Sequence, residues 1–86
     1  MKFLAKNKKE YELFKEEFER LLSDKNSMKL DTEKRIDNYK TNTIYSNMKE
    51  YRNERILEEE ELLKHIEKHL EEYKYMLDNL DYNRNK

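Results

Sequence analysis

The stretch Leu62-Leu63-Lys64-His65-Ile66-Glu67-Lys68-His69-Leu70-Glu71-Glu72-Tyr73-Lys74-Tyr75-Met76-Leu77-Asp78-Asn79-Leu80 decides the fold. Leu63, Ile66, Leu70, Tyr73, Leu77 and Leu80 recur at spacings that alternate three and four, as a coiled-coil or bundle seam requires. Followed backwards, the stripe reaches Tyr51, Met48 and Ile44, and the chain contains no glycine or proline to interrupt it. The spacing predicts one helix from Ile44 to Leu80, about 37 residues and roughly 55 Å long.

Upstream, Tyr11, Phe14, Phe18, Leu21 and Leu22 share one face at about 100° per residue and predict a helix over 7–23. Leu4 extends that stripe, whereas Leu13 falls on the far side. Asp24-Lys25-Asn26-Ser27-Met28-Lys29-Leu30 then carries Asp, Asn and Ser, which compete with the helical backbone for hydrogen bonds and favour a turn. Asp31 reads as the N-cap of a second helix over 31–41, with Glu33 in its first turn and Leu30 as a staple residue toward Ile36. After Tyr39 the apolar phase slips, and Thr41-Asn42-Thr43 has poor helix propensity, which places a break there. The competing reading is one helix from Asp31 to Leu80 with the slip absorbed as a stutter.

These elements predict an all-α, elongated antiparallel helical bundle or hairpin forming a single domain over residues 1–86. Two short helices pack end to end on one long C-terminal helix, and a polar tail occupies 81–86. The 86 residues are 45% charged and 35% hydrophobic, too few apolar groups for a large enclosed core. Self-association is therefore expected, with Leu63, Ile66, Leu70, Tyr73, Leu77 and Leu80 as the seam of a coiled-coil-like homodimer.

Nineteen basic and twenty acidic side chains interleave to a net charge of −1. That balance excludes a polyanion mimic and a polycationic nucleic-acid sleeve. Without cysteine there is no disulfide framework and no thiolate metal site. The apolar run at Phe3-Leu4-Ala5 is far too short for a signal h-region or a membrane span. A soluble, cytoplasmic protein that does not engage a membrane is expected.

Continuing the seam between Tyr51 and Leu63 by helical spacing demands inward residues near Arg52, Arg55 and Glu59, so two arginines and a glutamate interrupt it. One account leaves this stretch uncovered. A second pairs Arg55 and Glu59 with their counterparts on another copy, fixing register. A third docks an external protein on Tyr45, Lys49, Tyr51, Arg52, Arg55, Ile56 and Glu59, because Arg and Tyr are favoured interface anchors.

His65 and His69 lie four apart, with Glu61 before and Glu72 after. Such spacing can grip a divalent ion, but two histidines on an exposed helix are only a weak candidate, and hydrogen bonds to Glu61 and Glu72 are the simpler expectation; no metal or cofactor is assigned. The metalloprotease pattern fails because Ile66 stands where a glutamate is needed. No nucleophile, base and acid are brought together, and no glycine is present to cradle a phosphate, so no enzyme activity is expected.

The long helical rod, small size and Lys-, Asn- and Tyr-rich composition resemble, in a general way, small helical proteins of phages and mobile elements. That resemblance implies a non-enzymatic inhibitor or adaptor that binds and blocks a larger host protein. Two alternatives compete with it. Lys34, Arg35, Lys40, Lys49, Arg52 and Arg55 interleaved with Tyr39, Tyr45 and Tyr51 suit a nucleic-acid-binding regulator, though Asp31, Glu33, Asp37, Glu50 and Glu54 dilute the charge. A structural coiled-coil scaffold part is the other.

Overall fold

The computed structural model describes residues 2–84. Its elements are β1 (Phe3–Ala5), α1 (Lys8–Thr41), a single 3₁₀ turn (Thr43–Tyr45), α2 (Lys49–Asp78) and β2 (Leu80–Tyr82). The molecule is mostly helical and elongated, 67 × 19 × 12 Å along its principal axes. Its thinnest dimension is roughly that of one helix, so the fold is a single layer.

The predicted helices over 7–23 and 31–41 are one helix of 34 residues. The expected turn at Asp24–Leu30 does not form, and Asp31 lies inside the helix rather than capping one. Leu30 points to solvent, 60% exposed, instead of stapling Ile36. The reason is tertiary. Asp, Asn and Ser each cost at most about 0.7 kcal/mol in a helix, whereas burying one aliphatic side chain contributes about 1.5–3 kcal/mol. An unbroken α1 covers Ile66, Leu70 and Leu77 of α2. The stripe is in fact continuous once Lys25 and Thr32 are admitted to it: Lys25 is half-buried and Thr32 fully buried.

α1 begins where the sequence supplies a reciprocal cap. The Asn7 Oδ1 accepts from the Glu10 amide at 2.9 Å, which satisfies one of the free donors at the helix start, and the Glu10 carboxylate accepts from the Lys6 amide at 3.1 Å, which fixes the chain entering it. The helix ends at the expected break. Asn42 takes extended dihedrals, and its Oδ1 accepts from the Ile44 amide at 3.1 Å, starting the 3₁₀ turn. Successive backbone bonds from Tyr45, Ser46 and Met48 then carry the chain round into α2. The long C-terminal helix is therefore shorter than 44–80: Ile44 belongs to the turn and Leu80 to a strand.

α2 returns alongside α1 in the opposite direction, bringing the two ends of the chain together. There β1 and β2 form a parallel pair with Phe3 opposite Leu80, Leu4 opposite Asp81 and Ala5 opposite Tyr82. The Phe3 amide donates to the Asn79 carbonyl and the Asn83 amide to that of Ala5. These strands depart from the all-helical expectation. Asp81 and Tyr82 belong to β2 rather than to a polar tail, while Asn85 and Lys86, at the end of that expected tail, lie outside the described residues.

The interior is thin. Ala5, Ile36 and Ile66 are the buried apolar residues, with Thr32 the buried polar one, among those described. The Thr32 hydroxyl donates to the Met28 carbonyl at 2.7 Å and accepts from the Arg35 guanidinium at 3.1 Å, so its burial leaves no unsatisfied group.

Candidate interaction surface

The turn between the helices assembles a tyrosine ladder. Tyr39 is carried by the last turns of α1, Tyr45 by the 3₁₀ turn and Tyr51 by the first turn of α2. Tyr39 and Tyr45 lie 5.1 Å apart between ring centroids, and Tyr45 and Tyr51 stack at 6.3 Å with 25° between their planes. Arg55, one helical turn beyond Tyr51, sets its guanidinium 5.5 Å from that ring's centroid. Its Nε donates to the Tyr51 hydroxyl at 3.3 Å and its Nη1 to Glu58 at 2.9 Å. The hydrogen bond to Tyr51, then that to Glu58, holds the guanidinium in its charged form even more firmly than usual.

Around the ladder, Ile44 is 68% and Met48 46% exposed. Exposed apolar side chains thus stand beside tyrosine and arginine at this end of the layer, residue types enriched at interface centres. Lys49 is exposed on the same turn. Thus Tyr45, Lys49, Tyr51 and Arg55 gather at one end of the layer. Arg52 and Ile56 are half-buried, their phase turned toward α1. Sequence reasoning missed Ile44, Met48 and Tyr39 as members of this surface. The recurrence of tyrosine at 39, 45 and 51 across a turn signal is the trace that points to them.

Glu59 is engaged elsewhere. Its carboxylate accepts from the Nε of Arg35 on α1 at 3.0 Å, within its own chain. With the two side chains 47% and 20% exposed, the pair is worth under about 1 kcal/mol. It nonetheless supplies within the chain a charge partner for Glu59, which the sequence reading left uncovered or assigned to a second copy or an external protein.

The seam residues lie against α1. Ile66 is 1% exposed, and Leu63, Leu70, Tyr73, Leu77 and Leu80 are half-buried. Leu70 and Leu77 line one groove with Leu22, and Leu63 lines another with Ile36.

His65 is exposed, while His69 is half-buried with its ring stacked 6.0 Å from that of Tyr73. The Nδ1 of His69 is buried without a hydrogen-bond partner. Among the described residues no three of His, Cys, Asp and Glu group as metal ligands, and Glu61 and Glu72 are exposed. No helix of the described residues is long and apolar enough to cross a membrane.

The far end of the layer is built differently. Phe3 meets Tyr75 edge-on at 6.1 Å, and Phe3, Leu4, Ala5, Phe14, Phe18, Met76 and Leu80 line an apolar depression of about 140 Å³. No family model, curated protein or solved structure matches the chain, and the residues themselves carry the functional reading.

Proposed function

We propose that this protein is a small non-enzymatic interaction protein, an inhibitor or adaptor of the phage or mobile-element kind. In this reading it works as a homodimer in the cytoplasm and uses the tyrosine end of the layer to hold a larger protein. The observation that carries the reading is the ladder of Tyr39, Tyr45 and Tyr51 capped by Arg55, bordered by exposed Ile44 and Met48. Tyrosine and arginine dominate binding energy at interfaces because they bury large areas while keeping a polar tip. The ladder is also pre-ordered by its own stacking, which lowers the entropy lost on docking. The reducing cytoplasm suits a chain that takes no support from disulfides.

The nucleic-acid alternative has weaker support. Arg35 and Arg55 are neutralised by Glu59 and Glu58, and the tyrosine rings contact one another, Tyr39 tilted on Tyr45 and Tyr45 stacked on Tyr51, rather than standing free for bases. A titration against single- and double-stranded DNA and RNA at low salt is expected to stay flat; steep salt-dependent binding would replace the protein-target reading.

The direct test compares proteins retained from the native host by the wild-type chain and by a Tyr51→Ala/Arg55→Ala variant. Loss of a specific partner with helicity unchanged is the expected result. Equal retention by both would remove the surface from the proposal.

A further inference from the structure

We infer that one broad face of the layer is the homodimer contact, and that a second copy of this chain covers it to make a four-helix assembly. This rests on the homodimer reading above and gives it a surface.

At about 100° per residue, Phe14, Leu21 and Met28 repeat every seven positions along α1, and Leu62, His69 and Met76 do so along α2. In two antiparallel helices these rows fall on the same side of the layer. The shared apolar depression of Phe14 and Met76 supports that placement; the opposite side carries the Leu22–Leu70–Leu77 groove flanked by Glu71, Lys74 and Asp78, and toward the turn a groove edged by Glu33, Asp37, Lys40 and Glu60. Phe14 is 43%, Met28 41% and Leu62 37% exposed, and Leu21, His69 and Met76 are half-buried. Nothing among the described residues packs over them, because the molecule is 12 Å thick.

Area points to a second copy as the occupant. A compact monomer of this mass exposes about 5,500 Å², whereas this chain exposes 7020 Å². Two chains each removing the excess of about 1,500 Å² would bury up to about 3,000 Å² together, within the range of obligate homodimers. Charge agrees. Arg20 pairs with both Glu17 and Asp24 along the rim on α1, and Arg55 pairs with Glu58 on α2. These rim carboxylates are thus answered within the chain and do not call for a basic partner.

The test is sedimentation equilibrium of the full chain across a wide concentration range, with helicity followed in parallel. The wild type is expected at twice 10.8 kDa. A Met28→Lys/Leu62→Lys variant, altered at positions already open to solvent in the single chain, is expected to remain helical and to dissociate at least about 100-fold more readily, a hot-spot-sized loss. A Leu30→Lys/Leu57→Lys variant, at residues 60% and 62% exposed on other faces, is expected to dimerise like the wild type. A wild type that stays monomeric throughout overturns both the homodimer reading and this face. A dimer indifferent to Met28→Lys/Leu62→Lys, or one broken by Leu30→Lys/Leu57→Lys, overturns the face alone.

Discussion

At one end of the 67 Å layer the chain is closed by main-chain pairing of β1 with β2 over Phe3, Phe14, Phe18, Met76 and Leu80; at the other it is closed by side chains stacked from Tyr39 to Arg55. The sheet end adds aliphatic and aromatic side chains, Phe18, Met76 and Leu80 among them, where the helices meet the strands. Toward the turn, buried Thr32 and Ile36 are accompanied by the Arg35–Glu59 pair, and only beyond them do Ile44, Met48 and Tyr51 remain open. Burial thus continues through the middle of the rod and stops short of its turn tip. Substitutions at the buried positions and at the tip proposed above as the binding surface should therefore read out differently.

The strongest way to break that comparison is Ile66→Ala, which empties a site 1% exposed and is expected to cost about 2–5 kcal/mol in a denaturant titration. Leu57→Ala, at a position 62% exposed on the same helix, should cost under about 0.5 kcal/mol. Equal losses would mean that the helices do not face each other as described. Thr32→Val sharpens the comparison. It keeps the volume but removes the hydroxyl that links the Met28 carbonyl to Arg35. A loss of about 0.5–1.5 kcal/mol is expected, because Met28 keeps its helical bond and Arg35 its Glu59 partner; a neutral result would show that the hydroxyl adds nothing to an apolar site.

The smallest effect is confined to the sheet end. The Tyr82 amide, together with Arg84 and Lys2, holds the Asp81 carboxyl below the ordinary carboxylate range. A depressed carboxylate contributes stability that is present above its unfolded value and is lost as pH falls through the folded one. The protection of the Tyr82 and Asn83 amides, measured against their intrinsic exchange rates at each pH, should therefore fall on acidification below the ordinary carboxylate range. Asp81→Asn should abolish that pH dependence while leaving the tyrosine end unmoved, and an identical acid response at both ends would contradict that assignment.

Much of this architecture is legible in the residues. The seam from Leu63 to Leu80 marks α2, the phase slip at Thr41-Asn42-Thr43 marks the break, and Arg and Tyr beyond it mark an unusual surface. The continuity of α1 is hidden because Lys25 and Thr32 occupy seam positions normally read through apolar residues. Lys25 is only half-buried and Thr32 answers its polarity locally, neither of which a hydrophobic pattern records. The strands are hidden because three-residue segments have no periodicity to measure, and their pairing depends on two helices of nearly equal length returning the ends to one place. The tyrosine ladder is half visible: its rings can be noted singly, but their stacking is a product of the turn.

The single layer with an open face exists only if α1 runs unbroken through Asp24–Leu30. Backbone carbon chemical shifts and amide exchange across this segment test that continuity directly. Helical shifts from Lys8 to Thr41 without interruption, with slow exchange at Lys25, Met28 and Lys29, are the expected result; coil-like shifts with rapid exchange between Asp24 and Leu30 would contradict it.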